Sequence, residues 1–193
     1  MKPVAHPSVK RAKHTFMNTL ALLLFSFLFG GGNDAPAPID DQHLVLYGTT
    51  VEMLYGSENE ANAPATRVLV FKEGELYTAF KSNEKGEYVF NLPIGGVYEL
   101  HFGGESFVNK RVTIDTRALA EAKRGKREVS MDISLFRPVE TVDYSAMNEP
   151  VVLWYFDRSA KEMVPDLEVI DTMFRTVDKL YRKSEKMALR ASN

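Results

Sequence analysis

The chain has 193 residues, no cysteine and a formal net charge of −2. The lack of cysteine excludes disulfides, thiolate metal sites, cysteine nucleophiles and an acylated lipoprotein anchor. Residues 1–32 carry four of the 24 basic residues and no acid, so the remainder has 20 bases against 26 acids, a net charge of −6 that disfavours nucleic acid as a partner.

The first 32 residues have the layout of a secretory signal peptide. A basic segment precedes an apolar run at residues 16–29, and three glycines follow at 30–32. The run is short for a membrane span, which needs about 20 apolar residues. We therefore expect an exported protein, periplasmic, outer-membrane associated or extracellular, with a retained signal anchor as the alternative and as its only membrane contact. Residues 33–43, rich in proline and aspartate, predict a flexible tether.

Residues 44–136 alternate between apolar and polar side chains, which is typical of strands with one buried face. Glycine-containing turns separate the runs at intervals of about 8 to 12 residues. The pattern predicts a mainly β fold, an antiparallel seven-strand-type β-sandwich. The predicted strands are 66–72, 75–82, 87–92, 97–102, 107–114 and 128–136. The predicted core includes Val70, Phe90, Leu100, Ile114 and Ile133.

Several motifs in this region resemble carboxypeptidase regulatory-like domains, whose fold is transthyretin-like. They are Ala63-Pro64, the turn from Lys72 to Gly74, SNEKGEYVF at 82–90 and LPIGGVYEL at 92–100. The resemblance spans residues 44–115 and departs from the family in a longer acidic loop at 56–62. It implies a folding or recognition module that is attached to something else and is not itself catalytic.

The segment that follows the sandwich contains a basic cluster and an apolar run. Lys123, Arg124, Lys126 and Arg127 are interpreted as a solvated loop or short helix, with an anionic-surface patch as the alternative. Residues 137–164 form an extension whose run at 151–156 predicts a buried strand. Trp154 in that run is interpreted as a core residue, with a sugar-stacking platform as the alternative.

Residues 165–189 show helical periodicity, with apolar side chains at i, i+3, i+4 and i+7. The predicted amphipathic helix has acids early and bases late, which suits the helix dipole. Its apolar stripe must be covered, either by its own sandwich or by an envelope protein partner or a second copy. The candidate interaction residues on this stripe are Ile170, Met173, Phe174, Val177 and Tyr181.

No catalytic, cofactor or metal site is predicted. His43 and His101 are isolated, and the acid pairs Glu58/Glu60 and Asp40/Asp41 lack the spacing of a calcium loop, so they are interpreted as solvated acids. No Gly-x-Ser-x-Gly elbow or phosphate-binding loop is present in the sequence.

The layout of leader, β module, MDISLFRPVE segment and helical tail resembles envelope proteins of Gram-negative bacteria, which implies a location and no activity. The leading hypothesis is therefore a non-enzymatic exported protein that acts as a structural or protein-recognition module. The alternative is a carbohydrate- or ligand-binding accessory domain that uses exposed aromatic residues such as Tyr47, Tyr55 or Tyr77.

Overall fold

A computed structural model describes residues 42–122 and 125–191 of the chain. The predicted signal peptide, the predicted tether up to residue 41, and Lys123 and Arg124 of the basic cluster lie outside the described residues.

Two β-sheets pack face to face around a shared apolar core. The five-stranded sheet contains β1 (His43–Met53), β2 (Glu60–Asn62), β5 (Glu87–Pro93), β8 (Glu128–Ser130) and β9 (Ile133–Leu135). The six-stranded sheet runs in the order β11 (Glu162–Pro165), β10 (Pro150–Asp157), β7 (Lys110–Asp115), β6 (Val97–Gly103), β3 (Arg67–Lys72) and β4 (Glu75–Lys81). The helices are α1 (Arg117–Glu121), a 3-10 turn at Ser145–Asn148, and α2 (Leu167–Ala191). The prediction of a mainly β sandwich with a C-terminal helix is confirmed.

The two sheets contain parallel as well as antiparallel strand pairs, so the predicted antiparallel arrangement is corrected in this respect. Strands β8 and β9 pair with β1 in parallel, and β10 pairs with β7 in parallel. In each case the chain leaves one strand and reaches the next through a long connection, which parallel pairing requires. Residues 54–127 separate β1 from β8, and residues 116–149 separate β7 from β10.

Alternating residues of both sheets form the core, as the period of two predicts. Val70, Leu100 and Ile114 are fully buried, and Ile133 is buried. Phe90 is only half-buried, so its predicted place in the core is corrected. It lies on β5, where it stacks on Phe80 with ring centroids 4.8 Å apart, at the margin of the core.

The predicted strand at 128–136 is interrupted after Ser130, although its alternation of buried and exposed side chains is retained. At the break, Asp132 Oδ1 accepts hydrogen bonds from the Thr49 backbone N–H at 2.8 Å and the Thr49 hydroxyl at 2.7 Å. The Met131 carbonyl accepts a hydrogen bond from the Tyr88 hydroxyl at 2.6 Å. A Cβ at Gly48 would lie 2.0 Å from that carbonyl, so the interruption depends on glycine at this position.

Candidate functional site

Helix α2 packs against its own chain, along β10 and against an apolar cluster separate from the main core. We call this group the second cluster. Its buried members are Val108, Phe136, Val142, Met147 and Leu180. Half-buried apolar side chains of α2, including Val177 and Met187, surround it. The apolar stripe of the helix is therefore covered largely within the chain.

The five stripe residues named from the sequence do not all lie on the covered face. Met173 is buried, Ile170, Val177 and Tyr181 are half-buried, and Phe174 is 69% exposed. Phe174 is therefore not covered within the chain, whereas the other four residues are at least half-buried. Successive residues of an α-helix are about 100° apart, so the face centred between Met173 and Leu180 turns Phe174 to its margin. A role for these residues in partner binding stays a prediction.

Polar contacts fasten the C-terminal half of α2 to the loops beside it. The Tyr181 hydroxyl donates to the Leu54 carbonyl at 3.0 Å, and the Gly56 N–H donates to Glu185 at 3.0 Å. Ser184 is fully buried, and its hydroxyl lies 2.6 Å from that of Tyr144. These contacts fix which face of the helix meets the second cluster.

The N-terminal half of α2 forms one wall of an open groove on the outer face of the six-stranded sheet. This helix groove has a volume of about 530 Å³, within the range of about 300 to 1,000 Å³ that is typical of ligand sites. Its lining residues come from β7, β10 and α2 and from the segments that precede β10 and α2. They are Thr113, Glu149, Pro150, Leu153, Asp166, Glu168, Val169, Thr172 and Met173. Most of this surface is apolar, and its charged groups are carboxylates.

One of these carboxylates has a structural role. Asp166 Oδ1 accepts hydrogen bonds from the backbone N–H groups of Glu168 at 2.9 Å and Val169 at 3.1 Å. This is the N-capping arrangement that satisfies free donors in the first turn of a helix. Across residues 42–122 and 125–191, Glu149 and Glu168 have no ion-pair partner, so their charges remain available at the groove.

A second groove, of about 310 Å³, adjoins the helix groove and shares Thr113 with it. His101 is one of its lining residues and is paired with Glu99, two residues earlier on β6. The Phe71 ring from β3 packs on the imidazole with centroids 4.6 Å apart. Arg111 of β7 lies 4.0 Å from Glu99 and donates to Asn148 at 3.1 Å. We call this the His101 groove; it extends the recessed surface across three strands.

The aromatic residues proposed for ligand binding lie on different parts of the fold. Tyr55 packs on Tyr181 with centroids 5.5 Å apart and donates to the Arg137 carbonyl at 2.5 Å, and burial raises its pKa to about 12. Tyr47 is half-buried on β1, and Tyr77 is exposed on β4. Trp154 is half-buried at the margin of the main core, as Phe90 is, so the choice between a core residue and a sugar-stacking platform stays a prediction.

The helix groove contains residues that the sequence analysis did not single out. Leu153 and Pro150 lie in or beside the apolar run that predicted β10, and Val169 lies in the helical pattern. The feature of the sequence that indicates their position is the unbroken apolar run of β10. A strand with apolar residues on both faces needs a cover on both, and the outer cover of β10 is α2.

Among the described residues, no cluster of three or more His, Asp or Glu side chains is arranged to hold a metal ion. None of the described helices is both long and apolar enough to cross a membrane.

No family model and no curated protein matches the sequence. The solved structures that are distantly similar in fold include the following two. Catechol 1,2-dioxygenase from Acinetobacter sp. ADP1, inhibited by bound mercury, has 12% identity and a TM-score of 0.36 over 61% of this chain and 60% of its own. The Bacillus anthracis TIE protein has 16% identity and a TM-score of 0.34 over 63% of this chain and 24% of its own. The chain thus spans about three fifths of the first and a quarter of the second, and the similarity extends to a β-sandwich-type fold alone.

Proposed function

We propose that the protein is a non-enzymatic, exported envelope protein that acts as a structural or protein-recognition module of the carboxypeptidase regulatory-like type. Its recognition surface is the helix groove together with the adjoining His101 groove. The basic and apolar leader supports the proposal of export, and the turn and core motifs at residues 44–115 support the proposed module type.

The observation that carries the recognition role is the helix groove itself. Its walls belong to two paired strands and to a helix whose buried side chains and capping contacts hold it in place. A preformed apolar recess with a few polar groups at its margin is the usual form of a binding site. Its components are rigid elements, so an incoming segment would meet a surface that needs little ordering before it binds.

Site-specific photo-crosslinking of the full chain in its native cells tests this function. Thr172 is exposed and lines the helix groove, whereas Glu84 is exposed in the turn between β4 and β5. A benzophenone side chain at position 172 should yield a discrete protein adduct, because a bound partner lies within reach of the probe. The same probe at position 84 should not yield that adduct. The recognition role would be wrong if position 172 formed no adduct, or the same adducts as position 84.

A further inference from the structure

The helix groove has one sign of charge at its margin. Glu149 lies where the chain enters β10, and Glu168 lies in the first turn of α2. Asp166 adds a carboxylate whose Oδ1 is engaged in capping the helix. Within residues 42–122 and 125–191, no basic side chain lines this groove. Arg111 lies on β7, two residues before Thr113, and its guanidinium donates to Asn148 and lies 4.0 Å from Glu99.

The interior of the groove is apolar. Leu153, Val169 and Met173 line it, together with the ring of Pro150. A ligand that covers these side chains must bring its own apolar surface, since burial of apolar area is the main favourable contribution to binding. The ligand that complements both the margin and the interior of the groove therefore carries a cation next to an apolar group.

This combination favours a peptide over the other polymers that an exported protein meets. Phosphate groups of nucleic acids and anionic lipids would be repelled by the carboxylates. A chain segment with lysine or arginine beside a large apolar residue provides both features at the spacing of adjacent side chains. The net negative charge of the chain would also favour its encounter with a cationic segment.

We propose that the helix groove binds an extended peptide segment in which lysine or arginine adjoins a large apolar residue. The proposal rests on the recognition role given above and specifies the chemistry of its partner. Glu149 and Glu168 receive the cation, and Leu153, Val169 and Met173 receive the apolar side chain.

Fluorescence anisotropy with the purified full chain and two short labelled peptides tests the proposal. In one peptide lysine alternates with valine and leucine, and in the other glutamate replaces each lysine. We expect the lysine peptide to bind and the glutamate peptide to bind much more weakly. The E149Q/E168Q variant should bind the lysine peptide about three- to tenfold more weakly, the size expected for two solvent-exposed charge pairs. Raising the salt from about 0.05 to about 0.5 M should weaken the wild type toward the variant.

The matched control is E84Q/E105Q, which removes two exposed carboxylates outside the groove and leaves the net charge equal to that of the test variant. Its affinity for the lysine peptide should equal that of the wild type. The charge-reversed variant E149K/E168K should prefer the glutamate peptide, and thermal melting of each variant checks that the fold is retained. Equal binding of both peptides to the wild type, or an equal loss in the control variant, would overturn the proposal.

The crosslinking experiment separates this proposal from the function on which it rests. If the lysine peptide fails to bind while position 172 still forms its specific adduct, the recognition role stands and the cationic partner is wrong. An adduct with twice the mass of the chain would identify a second copy as the occupant and would also overturn the peptide assignment. If the lysine peptide does not bind and position 172 forms no specific adduct, both proposals are wrong.

Discussion

Lys110 is a charged residue placed in the interior of the sandwich. It lies on β7 with Val112 and Ile114 on the same buried face, and only 8% of it is exposed. Burial lowers the pKa of Lys110 to about 8, and the negative charge of Glu60 partly opposes this shift. The folded protein therefore releases the lysine proton at a lower pH than the unfolded chain does.

This difference predicts that stability rises with pH between about 8 and 10.5, because the unfolded state binds more protons there. Lys110→Met should remove that rise and should stabilise the protein at pH 7 by about 1 to 3 kcal/mol. Urea unfolding at a series of pH values up to 10 measures both effects. Burial also raises the pKa of Tyr55 and Tyr88 above their ordinary value of 10, and these groups lower stability as the pH approaches and passes 10, where the unfolded chain loses their protons first. The rise due to Lys110 is therefore read between about pH 8 and 9.5.

Lys81→Met is the control for this substitution, because Lys81 is exposed on β4. It should leave the slope of stability against pH unchanged over the same range. A similar slope in the wild type and in Lys110→Met would show that the lysine is not desolvated in solution.

Gly48 is needed for the close approach of β1 to the break between β8 and β9. Replacement by alanine would bring a Cβ to 2.0 Å from the Met131 carbonyl oxygen, a backbone atom that a side-chain rotation cannot move away. We expect Gly48→Ala to lower the free energy of unfolding by about 1 to 3 kcal/mol, the usual effect of overpacking. Chemical denaturation of the wild type and the variant measures this change.

Gly74 offers a contrasting position for the same measurement. It has a φ of 85° in the hairpin turn between β3 and β4, and nothing lies within 4 Å of a Cβ added there. Gly74→Asn should be tolerated better, since asparagine adopts the left-handed conformation more readily than most residues. If Gly48→Ala costs no more than Gly74→Asn, the contact with Met131 relaxes without strain.

At the scale of the element, the two halves of α2 contact different parts of the chain. Its C-terminal half completes the second cluster, where Leu180 is buried with Phe136 and Met147. Its N-terminal half forms the wall of the helix groove and leaves Phe174 exposed. The C-terminal half thus contributes to stability, and the N-terminal half belongs to the surface for which we propose a recognition role.

Two alanine substitutions in α2 test how much the covered and the exposed side chains of the helix contribute to stability. Leu180→Ala should lower the free energy of unfolding by about 2 to 5 kcal/mol, because it leaves a cavity in the second cluster. Phe174→Ala should change it by less than about 0.5 kcal/mol, as is usual for exposed positions. Thermal and chemical unfolding followed by circular dichroism measure both. A comparable loss from the two substitutions would mean that the helix is rotated about its axis relative to the second cluster.

At the scale of the whole molecule, the proposed location depends on the leader, which lies outside the described residues. If the leader directs export, mature protein recovered from the periplasm should begin near Asn33 or Pro36, after removal of the apolar run at 16–29. N-terminal sequencing of protein from fractionated cells measures this. Soluble cytosolic protein that retains Met1 would contradict export, whereas membrane-bound protein that retains Met1 would support the signal anchor.

The extent of prediction differs between the fold and the candidate site. Alternation and turn glycines are local features of the chain, and they predict the positions of the strands between residues 66 and 157 within a few residues. The helix was predicted at 165–189 and lies at Leu167–Ala191, with Asp166 as its cap. The parallel pairing of β8 and β9 with β1 was not predicted, because pairing depends on which strand edges remain open after distant segments have packed.

The sequence by itself determined the elements of this protein: the period of two between residues 44 and 136, the turns, and the apolar side of the final helix. Tertiary structure alone decided which part of that helix is covered and where the helix groove lies. Phe174 and Met173 are adjacent in the same apolar pattern, yet only Met173 faces the sheet. Thr113, Leu153 and Val169 meet in the groove from three separate elements. Periodicity reports the environment of each segment, whereas a groove arises where segments far apart in sequence pack together.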